Sequence, residues 1–276
     1  MLSWFLKISR PRFWLYLLGP YLIGLIAANQ LPKPGLALLL GLYFLLPANL
    51  LIYGVNDLFD YETDKHNPKK LRYEALVTPD RRKGLLLAIA ALNLPILGLL
   101  FWLPEKTIIG LLGFWILGVF YSAPPIRAKI HPFIDTVFNA LYIFPGIVGY
   151  TLLSGHWPPV ALVIASTLWC MAMHAYSAVP DIAADKQAAI RTVATALGAR
   201  GTLLFCLACY SLAAVLSFRL IGLFAVFAGA VYVAMMLLTL QQPGRDRVFQ
   251  LYKYFPYINM TIGGLLFFWV HYLATR

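Results

Sequence analysis

Apolar stretches long enough to cross a bilayer recur along the whole chain, at about 12–29, 36–58, 84–103, 107–123, 134–153, 157–179, 202–217, 219–240 and 254–274, each closed by charges or by Pro and Gly. A segment immersed in hydrocarbon has to satisfy its own backbone hydrogen bonds, and an apolar stretch of about 20 residues does so as a helix. The pattern predicts an all-α integral membrane protein, a single domain of nine transmembrane helices over residues 1–276. Composition agrees, with 61% hydrophobic and only 12% charged residues, against about a quarter charged in soluble domains. The first stretch follows Lys7, Arg10 and Arg12 and ends near Ala27 and Ala28, the outline of a secretory signal. Its length, and the apolar run directly after it, make it the first helix instead.

The net charge of +11 raises the question of a nucleic-acid partner. Such a partner needs a basic face on a soluble fold, whereas these cations sit between apolar stretches. The expected partners are the lipid bilayer and an anionic substrate, and no nucleic acid. Alternating the nine stretches puts eighteen of the 22 Lys and Arg on one side, leaving Lys33, Lys106, Arg219 and Arg276 on the other. By the positive-inside rule the N-terminus is cytoplasmic, in a multi-pass protein of the cell (inner) membrane. Ten of the eleven acids fall on that side too, Glu105 being the exception. Acids contribute little to topology, so their placement asks for a chemical reason.

The three cysteines, Cys170, Cys206 and Cys209, all lie inside apolar stretches. They form neither a disulfide framework nor a four-ligand zinc set, and read as small packing residues.

Residues 54–70, GVNDLFDYETDKHNPKK, end the second stretch. If its helix continues through them, Asp57, Asp60 and Asp64 stand at i, i+3 and i+7 on one face with Asn56 beside them and Glu62 off it. Like charges on one face repel unless something positive lies between them, and hard oxygens at this density suit Mg²⁺. Mg²⁺ is commonly held by one or two carboxylates together with substrate phosphates. Lys65, Lys69, Lys70 and Arg72 follow at once and can meet the remaining phosphate charge. Taken alone, the run also reads as a solvated, mixed-charge interfacial loop.

A second cluster sharpens the choice. In HAYSAVPDIAADKQAAIRTVATALG, residues 174–198, Asp181 and Asp185 share a helical face at the end of the sixth stretch, with Lys186 and Arg191 behind them. Two such faces are suited to hold one diphosphate. The loop FYSAPPIRAKIHPFID, residues 120–135, adds Tyr121, Ser122, Arg127 and Lys129 on the same side, although a basic loop is also what the positive-inside rule alone produces. His174 stands seven residues before Asp181, about two turns deeper, and an ionisable residue within a membrane is a functional candidate by default. A histidine bonded within the bundle accounts for it equally. Tyr53, Tyr121, Tyr142 and Tyr176 lie within reach of the motifs, where an aromatic face attracts a cation by about 0.5–2 kcal/mol, or where a ring simply packs.

NDLFDYETD and DIAAD resemble the NDxxDxxxD and DxxxD motifs of the UbiA-type intramembrane prenyltransferases, and YSAPPIRAK is similar to that family's cytoplasmic loop. The resemblance runs over essentially the whole chain. It implies a nine-helix bundle around a central cavity open toward the cytoplasmic side, and transfer of an allylic prenyl group from a prenyl diphosphate to a lipophilic acceptor. Carried over by motif, Asn56, Asp57, Asp60 and Asp64 bind one Mg²⁺-diphosphate arm and Asp181 and Asp185 the other. Arg10 of the Arg10-Pro11 pair and Arg127 and Lys129 of the loop resemble family positions near the diphosphate, and Lys69, Arg72, Tyr121, Lys186, Arg191 and His174 complete the candidate substrate-binding set.

The stretches around both motifs look most like the lycopene elongase branch, which attaches dimethylallyl units to an acyclic carotenoid. Two departures stand out: Ala189 where that branch commonly has glycine before Ile-Arg-Thr, and Ala183-Ala184 where an acid is often found. Neither removes an expected metal ligand. An aromatic quinone precursor, a chlorophyllide or a lipid acceptor fits the same mechanism. A cation- or phosphorylated-solute transporter is the alternative from another class, but it predicts acids near the bilayer midplane rather than at helix ends.

Overall fold

The computed structural model describes residues 2–30, 34–61, 75–187, 189–243 and 245–276, with the backbone alone at residues 2 and 245–247. In chain order its helices are α1 Leu2–Ile8, α2 Leu15–Ala27, α3 Pro34–Leu45, α4 Pro47–Phe59, α5 Arg82–Asn93, α6 Pro95–Leu99, α7 Glu105–Phe120, α8 Ile134–Val137, α9 Phe144–Ser154, α10 Val160–Ala178, α11 Ile182–Gln187, α12 Val193–Ile221, α13 Leu223–Gln241, α14 Arg245–Tyr252 and α15 Phe255–Ala274. The described residues contain no strand, as the apolar pattern predicts.

Seven helical runs of the described residues are long and apolar enough to cross a membrane: Pro34–Phe59, Pro79–Leu99, Ile134–Ser154, Val160–Gln187, Val193–Ile221, Leu223–Gln241 and Val248–Ala274. The first and fourth expected stretches form shorter helices. Pro11–Ala27 is apolar but falls below that length, and the 16 residues of α7 rise about 24 Å, less than the roughly 30 Å hydrocarbon core. Leucine and phenylalanine side chains such as Leu38, Leu87, Phe227 and Phe268 are exposed along these helices, as a lipid-facing surface requires.

The chain forms two compact units: Met1–Arg127 with Phe144–His156, and Ala128–Ile143 with Trp157–Arg276. In the first, α9 packs along α2 and α7, and α4 packs against α3, α5 and α7. The crossing of α2 and α9 is set by glycine. A Cβ on Gly24 would fall on the carbonyl oxygen of Gly146, and one on Gly149 would fall on the carbonyl oxygen of Tyr21. Small residues let two backbones approach this closely, the usual device where hydrocarbon offers no hydrophobic drive to helix pairing.

The second expected stretch, 36–58, is two helices rather than one. The chain breaks at Leu46 (φ −124°, ψ −61°), because Pro47 has no N–H to give and its ring clashes with the preceding turn. Buried Asn49 repairs the break, its Nδ2 donating to the carbonyls of Phe44 (2.9 Å) and Leu45 (3.0 Å). Asn93, before Pro95, donates to Ile89 O (2.9 Å) on its own helix and to Pro47 O (3.3 Å), which ties α5 to α4. In lipid a freed carbonyl finds no water, so a side-chain amide takes its place.

The second unit is built on α12, which packs along α10 and α13. Its interior is aromatic: Tyr210 stacks on Tyr232 (4.7 Å between centroids), the Tyr232 hydroxyl donates to Asn259 Oδ1 (2.9 Å), and Tyr176 meets Tyr252 and Phe255 edge-on. The helical run Val193–Ile221 is interrupted at Gly198 (φ 67°, ψ 173°): a short first piece, capped by the reciprocal box of Thr192 and Thr195, precedes the long piece that begins after Gly198, a few residues before the expected boundary near 202. Arg200 is therefore helical.

Helix α11 ends in a Schellman arrangement, with the Ile190 N–H donating to Asp185 O (2.8 Å) and the Ala189 N–H to Lys186 O (3.2 Å). This requires a left-handed residue, and Ala189 adopts φ 54°. Glycine is the ordinary occupant, since a Cβ there costs about 1–2 kcal/mol. The departure noted at Ala189 therefore carries a conformational cost.

Two stability predictions follow from these contacts. Gly24→Ala should destabilise the detergent-solubilised protein by about 1–3 kcal/mol, while Gly19→Ala on the same helix, where a Cβ meets nothing within 4 Å, should leave the thermal midpoint unchanged or higher; equal effects would contradict the close crossing. Ala189→Gly should raise the midpoint by the equivalent of about 0.5–1 kcal/mol, and a lowered midpoint would contradict the left-handed cap.

Candidate active site

The first acidic motif begins at the C-terminal end of α4. Asp57 is 2% exposed, and its Oδ1 lies 3.0 Å from a terminal nitrogen of Arg10. Arg10 comes from the turn after α1 and holds a left-handed backbone (φ 51°, ψ 72°). Its guanidinium carbon sits 4.6 Å from the centroid of the Tyr53 ring, one helical turn before Asp57. The guanidinium is thus bracketed by a carboxylate and an aromatic face presented by successive turns of one helix. A pair this buried is strongly destabilised by loss of either member, by about 3–5 kcal/mol, because the other charge is left behind.

Asn56 is half-buried and donates from Nδ2 to the hydroxyl of buried Ser122 (2.9 Å), which ties α4 to the YSAPPIRAK loop. Tyr121 caps α7, its N–H donating to Leu117 O and Val119 O. Arg127 is left-handed at φ 46° and donates its backbone N–H to Ala123 O (2.9 Å). The Nε of Arg127 is buried and has no hydrogen-bond partner among the described residues. A buried guanidinium nitrogen left open in this way is a place for an anionic oxygen.

The expected continuous acidic face does not extend through this region. Helix α4 stops at Phe59, and Asp60 leaves helical geometry at φ −108°, ψ 9°. Asp60 is half-buried at the helix end. Asp64, Lys65, Lys69, Lys70 and Arg72, with Glu62, lie outside the described residues.

The second motif lies in the other unit. After α10 the chain makes a 3₁₀ turn, Val179–Asp181, and continues as α11. Asp181 is exposed and Asp185 half-buried; Lys186 and Arg191 are exposed, and Lys129 is half-buried in the 3₁₀ turn Ala128–Ile130. His174 lies on α10 with Nε2 3.7 Å from Asp135 Oδ2. Tyr176, a candidate for cation stabilisation, is fully buried against Tyr252, Phe255 and Thr239, which is the packing role.

The structure thus joins Arg10, Tyr53 and Asp57, joins Asn56 to Ser122, and joins His174 to Asp135. Asp135 was missed from the sequence, where it opens an apolar stretch and counts as one more cytoplasmic acid. An acid at the head of an otherwise apolar 134–153 is the signal that points to it. Ser122 lacked even that, since a serine in a Pro-rich loop has many ordinary roles.

The chemistry of the donor set fits Mg²⁺ with a phosphorylated ligand. No group of three or more His, Cys, Asp or Glu among the described residues forms a self-sufficient metal cage. Hard carboxylate oxygens arrive instead in pairs, Asp57 with Asp60 and Asp181 with Asp185, and each pair is followed or approached by cations. That is the arrangement in which phosphate oxygens and waters complete the shell.

Comparison with known proteins gives the wider setting. The sequence profile of the UbiA prenyltransferase family matches residues 17–251. A lycopene elongase/hydratase of Haloarcula japonica is 40% identical over 98% of this chain and 92% of its own length. One from Haloferax volcanii is 42% identical over 94% and 85%, and one from Corynebacterium glutamicum 36% over 75% and 74%. Among solved structures, a UbiA homologue from Archaeoglobus fulgidus bound to GPP and Mg²⁺ matches with a TM-score of 0.72 at 22% identity, covering 99% of both chains. The apo UbiA homologue from Aeropyrum pernix matches at 0.73 and 16% identity, over 97% of this chain and 99% of that one. The fold is all-helical and UbiA-like, and the chain is an intramembrane prenyltransferase that belongs to the UbiA prenyltransferase family.

Proposed function

We propose that this enzyme transfers a dimethylallyl group from its diphosphate to the terminal alkene of lycopene or a related acyclic carotenoid, with Mg²⁺ bound by Asp57, Asp60, Asp64, Asp181 and Asp185. The observation that carries the reaction is the end of α4, where buried Asp57 is held by Arg10 and backed by Tyr53. The choice of acceptor rests on the relatives named lycopene elongase/hydratase, which match over most of the chain. Nine membrane crossings around a cavity that opens to the cytoplasm, with the N-terminus inside, complete the reading; the cation asymmetry of the loops supports that orientation.

Diphosphate is a poor leaving group until its charge is met. Mg²⁺, when bound, neutralises phosphate oxygens as the allylic C–O bond breaks. Arg127, with its open Nε, and Lys129, Lys186 and Arg191 meet what remains. Arg10 serves a different purpose: paired with Asp57 and stacked on Tyr53, it fixes the rotamer of the carboxylate before any ligand arrives. The allylic cation is then captured by the acceptor's terminal double bond, forming a C–C bond and a tertiary cation. Loss of a proton, or addition of water followed by loss of a proton, ends the reaction. Apolar walls keep water from the earlier allylic cation.

Asp181 supplies the clean test because its side chain is exposed, so replacing it breaks no buried contact. Asp181→Asn should lower turnover of dimethylallyl diphosphate by about 10²–10³-fold with an unchanged thermal midpoint. Asp57→Asn should abolish turnover and also destabilise, and removal of Mg²⁺ with a chelator should silence the unaltered enzyme until the ion is restored. Diphosphate release measured in lipid nanodiscs checks all three, and turnover undiminished by the chelator and by Asp181→Asn would overturn the assignment.

A further inference from the structure

We propose that Asp135 is a positioning residue for the second acidic motif, a clasp that holds both ends of that segment on one carboxylate oxygen; the catalytic part of this proposal rests on the function proposed above. Asp135 is 0% exposed. Its Oδ1 accepts the N–H of Thr136 (2.9 Å). Its Oδ2 accepts the N–H of Val193 (2.8 Å) and lies 3.7 Å from Nε2 of His174. Residues 174 and 193 are the two flanks of 175–192, the stretch that carries Asp181, Asp185, Lys186 and Arg191. One oxygen atom therefore accepts a hydrogen bond from the residue after that stretch and stands 3.7 Å from the imidazole of the residue before it.

A carboxylate taken out of water persists only where its oxygens are met. Here backbone N–H groups meet them, one at each oxygen. Val193 opens the short helical piece that runs to the break at Gly198, so its N–H has no partner within the helix and is open to a side-chain acceptor. His174 Nε2, on α10, stands 3.7 Å from Oδ2, an electrostatic neighbour beyond hydrogen-bond length. The capping box of Thr192 and Thr195 stiffens the same corner, with Thr192 N donating to Thr195 Oγ1 (2.8 Å) and Thr195 N to Thr192 Oγ1 (3.2 Å). Helices α10 and α12 already lie along one another. The clasp adds a fixed registry between the end of one and the start of the next, and that registry sets where the exposed Asp181 and half-buried Asp185 stand. Asp135 itself is wholly buried and acts through the residues it holds.

The two oxygens of Asp135 each face an N–H, so the isosteric amide leaves one donor facing an –NH₂ and removes the charge seen by His174. Asp135→Asn should loosen the segment at its base. In nanodisc-embedded protein, tryptic cleavage after Lys186 and Arg191 should speed up by about tenfold, with cleavage after Lys106 and Arg219 unchanged. His174→Gln, which leaves both N–H bonds to Asp135 in place, should accelerate the same two sites, and the double variant should be no worse than the worse single one. In the transfer assay, Asp135→Asn should raise KM for the prenyl diphosphate by about tenfold with kcat within a few-fold of the unaltered enzyme, and Asp80→Asn, an exposed acid on another element, should change nothing.

Wild-type cleavage rates at Lys186 and Arg191 in folded Asp135→Asn and His174→Gln would overturn the clasp. Equal acceleration at every tryptic site, or loss of kcat with KM unchanged, would overturn it too, because either marks a role in general stability or in the chemical step. If Asp135→Asn does not fold, His174→Gln decides alone. If the unaltered enzyme transfers no prenyl group, the function proposed above fails, and the proteolysis still decides the clasp.

Discussion

A polar group that this chain takes into the membrane is costly unless it finds a partner there. Hydrocarbon supplies neither water nor counter-ion, so an unmatched carbonyl or charge there is far more costly than on a soluble protein. The structure answers in two ways. Where Pro47 breaks a helix, the Asn49 amide meets carbonyls of the preceding turn. Where a carboxylate is buried, a cation or backbone N–H is brought to it, Arg10 to Asp57 and Val193 to Asp135.

That constraint also shapes the chemistry. A site that must hold a diphosphate at a membrane surface needs carboxylates for the metal and cations for the phosphates without letting the two collapse onto each other when the site is empty. Stacking Arg10 between Tyr53 and Asp57 spends one cation on orientation, while Lys186 and Arg191 stay exposed beside their acids. Of the left-handed non-glycine residues Arg10, Asn29, Arg127, Phe133 and Ala189, three, Arg10, Arg127 and Ala189, lie within the segments that carry the candidate site. Such conformations persist where the surroundings over-determine them, and they are common at sites that need side chains held in advance of the ligand.

Much of the fold was legible because a bilayer reduces the choice to helices, and helices of about 20 apolar residues leave a plain trace. What that trace could not carry was local geometry. The break at Leu46, the halt of α4 at Phe59 and the capped turn at Val193 ahead of the break at Gly198 each come from one residue or one pair of threonines, signals that hydropathy averages away. The site was legible to the extent that chemistry repeats along the chain: two acidic clusters with trailing cations are visible as letters. Asp135 and Ser122 were not, because their importance lies in which distant backbone or amide they meet, Val193 in one case and Asn56 in the other. A spacing argument works along one helix and says nothing about such partners.

The central claim is a carbon–carbon bond formed between an allylic diphosphate and a carotenoid end. The most direct measurement is mass spectrometry of the products after the purified enzyme, in lipid with Mg²⁺, meets dimethylallyl diphosphate and lycopene, with an aromatic acid, a chlorophyllide and a glyceryl phosphate lipid as competing acceptors. The account predicts lycopene enlarged by one or two five-carbon units, with or without an added water, and none of the competitors altered. Prenylation of a competitor while lycopene stays unchanged would contradict it.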